Sequence, residues 1–370
     1  MTQPLRIAQV APPIERVPPD GYGGTERVVY ELIRELTVRG HEVTTFASGD
    51  SAVPGEHVET VPRALRNEGF GGAPTGFVIG TALQVLDHAG EFDVIHSHLE
   101  WMSVLLARAT TVPLAATFHG RLDLPWARSV LEPTSPSLHL VAISESQAED
   151  HPDLDWTVVH NGLNLSNAPY ERRRTDDLLF VGRVVPEKGI VEAIEVAKLA
   201  DRPLKIVAKV GTTPDEQAYY EDVFEPARKE AGSLVEFLGE LSGDERDVLI
   251  STSYAVLMPG SWPEPFGLVA IESLACGTPV VARRVGGLSE IIREGVDGFF
   301  GDDVTQLAFS LPRVAELDRE AIRASVIERF SAKRMADGYE ALYRRMIAEA
   351  NGEPVEAEDD DRVVELGARR

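Results

Sequence analysis

Short β-rich runs alternate with amphipathic helical stretches along most of this chain, and that order constrains its fold more than any other feature of the sequence. Residues 7–11 (IAQVA) read as a buried strand, and 25–39 follow as a helix with Val28, Val29, Leu32, Ile33 and Leu36 at helical spacing, stopped by Gly40. Thr25 is the expected N-cap of that helix. Further strands are predicted at 41–47, 92–96, 114–118, 138–143 and 157–159, with helices at 80–88 and 102–109 among them. The polar run 169–177 reads as a linker, and a second series then begins. Its strands fall at 178–181, 204–208, 234–238, 255–258 and 280–282, and its helices at 187–200, 215–231, 243–251 and 266–275. Strands joined by helices form parallel sheets covered on both faces, because each parallel connection has to cross over the sheet. The fold class is therefore α/β, with two doubly wound sheets expected to face each other across a cleft.

A chain of 370 residues is long enough for two such domains. Hydrophobic residues at 43% and charged residues at 26% supply ordinary cores and exclude global disorder. The last predicted helix, 332–350, takes Ser331 as its N-cap and carries a stripe of Met335, Tyr339, Leu342, Tyr343 and Met346. Beyond it, 352–370 is acidic and poor in large apolar residues, so no fixed structure is expected there.

Thirty-six basic residues against 60 acidic ones leave a formal charge of −24. A field of that sign repels polyanions and acidic bilayers, so nucleic acid is not an expected partner and membrane association is disfavoured. Cys276 stands alone, which excludes an intrachain disulfide and a cysteine-based zinc site. Residues 1–6 run straight into the first strand without a leader pattern, and no apolar run approaches the roughly 18 residues of a membrane span. The expected location is the cytoplasm.

The most informative segment is 264–272 (EPFGLVAIE), which sets Glu264 before a helix and Glu272 about two turns into it. A helix N-terminus offers unpaired amides to an anion, and carboxylates accept from hydroxyl groups. Paired acids on a helix are also commonly just a solvated face, but Pro265 and Gly267 add a rigid turn and a close backbone approach. Arg183 and Lys188 sit in 182–189 (GRVVPEKG), directly after the first strand of the second half, where open α/β sheets place ligands. An Arg fork with a Lys point charge suits a diphosphate; the plainer alternative is surface pairing with Glu187 or Glu192. Gly21, Gly23 and Gly24 open the first helix without forming a dinucleotide or P-loop motif. His119 ends a strand of the first half and is expected to point into the cleft. His96, His98 and Glu100 mimic metal-ligand spacing, but no further ligand is identifiable, so no metal is expected. Asp153 and Asp155 form a D-x-D that falls in a polar stretch and reads as a loop or cap.

The 264–272 segment running on into 273–282 (SLACGTPVVA), the 182–189 segment, Gly23-Gly24-Thr25, His119-Gly120 and Asn161-Gly162 occur in the order found in family-four retaining glycosyltransferases of the GT-B fold. The chain resembles that family over nearly its whole length. The resemblance implies an acceptor-binding domain at 1–170, completed by the crossing helix 332–350, and a nucleotide-sugar-binding domain at 175–330. It implies that Arg183 and Lys188 hold the donor diphosphate, that Glu264 binds donor-sugar hydroxyls, and that His119 touches the sugar. The backbone around Phe266, Gly267 and Leu268 would contact sugar and phosphate, Glu272 the ribose, and Gly182, Gly23 and Gly24 would allow close approach. The implied activity is metal-independent, retaining transfer of a hexose from a nucleoside-diphosphate sugar, with no cofactor. Asp20, Tyr22 and Trp126 are the acceptor-side candidates, and the acceptor itself is expected to be a soluble small molecule or saccharide.

The chain departs from the family's pattern at Asn164, where an Asp is usual, and at Asn167-Ala168-Pro169, which replaces an aromatic-x-Pro. A sugar-nucleotide 2-epimerase of the same architecture and a non-catalytic sugar-nucleotide-binding protein are the alternatives. Base contacts are expected from 210–213 and 238–242. The sequence names neither base, sugar, acceptor nor oligomeric state.

Overall fold

The structure is a computed structural model that describes residues 3–21, 23–70, 73–132, 135–354 and 364–366. It divides into two units, one of Met1–Asn164 with Phe330–Arg370 and one of Leu165–Arg329.

In the first unit the strands are β1 Arg6–Val10, β2 Glu42–Ala47, β3 Glu56–Glu59, β4 Val94–Ser97, β5 Leu114–Phe118, β6 Leu138–Ala142 and β7 Trp156–Val158. They run parallel in the order β7-β6-β5-β4-β1-β2-β3. Every residue of β4 and β5 is buried, as central strands covered on both faces demand. The helices are α1 Gly24–Val38, α2 Thr75–His88, α3 Met102–Arg108, α4 Ala127–Leu131 and α5 Glu145–Ala148. Helix α1 buries the predicted stripe of Val28, Val29, Leu32, Ile33 and Leu36. Its cap is Gly23 rather than Thr25, and no side chain caps it. Asp153 and Asp155 lie outside helix and strand, and Asp153 pairs with Arg128 at 2.6 Å.

The second unit carries β8 Leu178–Arg183, β9 Leu204–Lys209, β10 Val235–Gly239, β11 Ala255–Met258, β12 Val280–Ala282 and β13 Gly298–Phe300, parallel in the order β10-β9-β8-β11-β12-β13. Its helices are α6 Ile190–Ala200, α7 Pro214–Tyr219, α8 Glu225–Ala231, α9 Gly243–Thr252, α10 Leu268–Ala275, α11 Leu288–Ile291, α12 Val304–Ser310 and α13 Arg319–Arg329. The single helix predicted over 215–231 is instead α7 and α8 joined by a π-helical turn, Tyr220–Phe224. Pro226 has no N–H to continue an α-helical ladder, and the wider turn accommodates the missing bond.

The chain then returns to the first unit as α14 Ala332–Asn351, which packs against α1 and buries Met335, Tyr339, Leu342, Tyr343 and Met346. Ser331 caps it, accepting from the Arg334 amide at 3.2 Å. In the tail expected to lack structure, β14 Val364–Leu366 pairs antiparallel with β7; 355–363 and 367–370 lie outside the described residues.

Candidate functional site

In the second unit the candidate residues gather at the carboxyl end of β8, the edge at which doubly wound sheets receive ligands. Gly182 and Arg183 are the last residues of β8, in register with Ala208 and Lys209 of β9. A 3₁₀ turn, Pro186–Lys188, follows, and Gly189 ends it in the left-handed region at φ 70°. Gly189 lies against Gly260: a Cβ on Gly189 would come 2.6 Å from the Gly260 nitrogen, and one on Gly260 would come 2.4 Å from the Glu187 carbonyl oxygen. Two facing glycines thus bring the Lys188 turn onto the loop that leads to Glu264. The Lys188 ammonium accordingly donates to Glu264 Oε2 at 2.5 Å. A Cβ on Gly182 would lie 3.9 Å from the Lys188 stem, an ordinary contact.

Helix α10 begins at Leu268 with Gly267 as its N-cap, left-handed at φ 114°, two residues after the predicted start at Phe266. Phe266 is buried. Glu272, the fifth residue of α10 and so a little over one turn into it, is buried rather than on a solvated face, and its Oε1 accepts from Arg246 of α9 at 2.8 Å. Arg183 and Lys188 do not pair as surface residues with Glu187 or Glu192; their partners are Glu216 of α7 and Glu264. Glu216 is held below its usual value: burial works against its ionisation, but the Thr213 hydroxyl, the Thr213 amide and the Arg183 guanidinium prevail. Neither Glu216 nor Arg246 was marked by a motif read for function. The Thr213-x-x-Glu216 spacing is legible as a capping box, but its contact with Arg183 depends on β8 and α7 meeting in space.

In the first unit, His119 follows β5. Its Nε2 shares a hydrogen bond of 2.9 Å with His98 Nδ1, and His98 Nε2 shares one of 3.2 Å with Gln9 Oε1. His96 is fully buried, bonded to the Tyr343 hydroxyl at 2.6 Å and to Thr117 Oγ1 at 2.7 Å. Both ring nitrogens of His96 and of His98 are thus committed to protein partners, and among the described residues no three His, Cys, Asp or Glu side chains group as metal ligands. Glu100, left-handed at φ 50°, turns its carboxylate to the His119 amide, which donates to Oε1 at 2.9 Å. Burial pushes Glu100 up to about 7, against the backbone hydrogen bonds from His119 and Gly120.

Burial also pushes His119 down to about 4. A histidine lowered in the fold opposes protonation there, so its neutral form stabilises the protein above the ordinary pKa near 6.5, and that contribution is lost as pH falls below it. An NMR titration of the His119 ring is expected to show no protonation step between pH 8 and pH 5; a midpoint near 6.5 would contradict the buried environment.

The other first-unit candidates are scattered. Gly23 packs closely on Pro19, with room for a Cβ only 2.8 Å from that ring, and Gly24 opens α1. Asp20 is exposed and paired with Arg16. Tyr22 lies outside the described residues. Trp126 is 46% exposed and stands edge-on to Trp101 with centroids 4.6 Å apart.

Two family descriptions divide the chain between them. "Glycosyltransferase Family 4" matches residues 22–167, and "Glycosyl transferases group 1" matches residues 167–320. The chain therefore belongs to the group 1, family 4 glycosyltransferases of the GT-B fold. It is 28% identical to glycogen synthase of Mycobacterium tuberculosis, over 76% of this chain and 79% of that protein. To D-inositol 3-phosphate glycosyltransferase of Mycobacterium avium it is 28% identical, over 94% and 96%. Among solved structures, a glycosyltransferase involved in avilamycin A biosynthesis matches at 25% identity and a TM-score of 0.69, covering 94% of this chain and 99% of that one. Sucrose-phosphate synthase of Thermosynechococcus elongatus shares the fold at 20% identity and a TM-score of 0.71, covering 93% and 100%. This chain is an enzyme of the transferase class. Among its described residues no helix is long and apolar enough to cross a membrane.

Proposed function

We propose that this glycosyltransferase moves a hexose, with retention and without a metal ion, from a nucleoside-diphosphate sugar to a hydroxyl of a soluble small molecule or saccharide. The observation that carries the reading is the juxtaposition of Lys188 with Glu264 at 2.5 Å, beside Arg183 at the end of β8. The leaving group of such a donor departs with its charge on a diphosphate. Two fixed cations and the amides at the start of α10 meet that charge as it develops, which is the service a divalent ion performs elsewhere. Glu264 sits where a carboxylate, once Lys188 turns to phosphate, is released to accept from sugar hydroxyls. Glu272 and the Arg246 that orients it are assigned to the ribose.

In this reading the second unit binds the donor and the first the acceptor, with Asp20, Tyr22 and Trp126 as the acceptor-side candidates and His119 assigned to the sugar. Transfer breaks the bond from the anomeric carbon to phosphate oxygen and forms the acceptor bond on the same face, the acceptor proton passing to the departing phosphate. The cytoplasm is the compartment in which we place it. Product NMR tests the reading: the anomeric configuration of the donor is expected to be kept. Inversion would contradict it, and conversion of the sugar nucleotide without acceptor would favour the isomerase alternative.

A further inference from the structure

The donor site in the structure holds a carboxylate that its proposed chemistry does not use. Glu216 accepts from the Thr213 amide at 3.1 Å and from the Thr213 hydroxyl at 2.8 Å, both through Oε2. The Thr213 hydroxyl in return accepts from the Glu216 amide at 3.4 Å, closing a capping box at the start of α7. The carboxylate lies directly over Gly211, where a Cβ would come within 2.1 Å of its Cδ. With Oε2 engaged by Thr213, Oε1 is directed to the Arg183 guanidinium. Glu216 is therefore fixed by its own helix cap, and Arg183 is drawn to it.

Resting on the donor-site reading above, we propose that Glu216 is the resident counter-ion of Arg183, which an incoming diphosphate has to displace, so that Glu216 sets how tightly the site holds nucleoside diphosphates. A guanidinium fork makes its strong paired contacts to one anion at a time. Binding then exchanges one charge-assisted contact for another, and the affinity reflects the difference between them. Lys188 follows the same logic with Glu264, but Glu264 is already assigned to the sugar. Glu216 acts through Arg183 and is a positioning residue. Removing a merely structural cap weakens a site; removing a competing anion tightens it, so the two roles differ in the sign of the effect.

The test is calorimetric titration of the full chain with UDP, GDP, ADP and dTDP. E216Q keeps an oxygen for Thr213 and removes the charge, and E216S is a second, smaller neutral variant. Each is expected to bind the preferred nucleotide about tenfold more tightly than wild type, a gain of the size of one charge-assisted contact. D215N, which neutralises the exposed neighbouring acid, is expected to stay within about twofold. The gain should vanish in R183A/E216Q compared with R183A, because the effect belongs to the pair. Binding by E216Q alone, with none by wild type, would also support the displacement. Wild-type binding with E216Q unchanged or weaker overturns the counter-ion role and leaves the donor site standing. No binding by either overturns both.

Discussion

Lys188→Ala and Arg183→Ala are each expected to lower the rate of sugar transfer by about 10²–10³-fold, the usual cost of removing one donor aimed at developing charge. Both side chains are partly exposed at the end of β8 and the turn after it, so neither is needed to fill a core. The loss should therefore appear in kcat with the thermal midpoint little changed. Arg183 is already neutralised by Glu216 and Lys188 by Glu264, and in each variant a carboxylate is left facing the diphosphate without its cation. Product binding should weaken along with turnover. Steady-state kinetics and a melting curve decide the matter: a wild-type rate in either variant removes that residue from the chemistry.

Gly260→Ala is expected to be nearly as damaging, although no side chain of the site is altered. A methyl group there would come 2.4 Å from the Glu187 carbonyl oxygen and 3.1 Å from the Lys188 carbonyl carbon. Backbone atoms cannot swing aside as a long side chain can, so the two loops have to part. Lys188 and Glu264 would then lose their 2.5 Å contact. Displacements of about 1 Å near a reacting group cost on the order of 10²-fold in rate, and overpacking costs about 1–3 kcal/mol in stability. Transfer activity and the melting temperature should fall together, unlike the pattern for Lys188→Ala. An alanine variant with ordinary activity would show that the close approach of the two loops is not required.

The parts of this fold that were legible in the sequence are those in which apolar periodicity is strong. Strands β5, β11 and β12 are buried almost throughout and read as nearly unbroken apolar runs. Helices α1 and α14 announced themselves by stripes that the structure buries. Strand β3 escaped because it is an edge strand, EHVE, with little to bury, and β13 because it is a sheet-edge GFF that opens on a glycine and offers only two apolar residues. The π turn escaped because a wide turn inside a helix keeps nearly helical spacing.

The candidate site divides in the same way. Motif residues near one another in sequence, such as Glu264, Gly267 and Leu268, were identified together. Contacts between distant segments were not: Glu216 meets Arg183, and Arg246 meets Glu272, only after sheet and helices are assembled. The spacing of His96 and His98 pointed to no partner for either ring, and the structure ties their nitrogens to Thr117, Tyr343, Gln9 and His119. The tyrosine comes from α14, more than two hundred residues away, and no local pattern signals that partnership.

The most direct measurement is calorimetric titration of wild-type protein with UDP, GDP, ADP and dTDP, each with and without EDTA. A site whose cations are Arg183 and Lys188 predicts that one nucleotide binds clearly and that chelation leaves its affinity unchanged. Binding that EDTA abolishes, or no binding of any of the four by wild type and E216Q alike, would contradict a metal-independent donor site at the carboxyl end of β8.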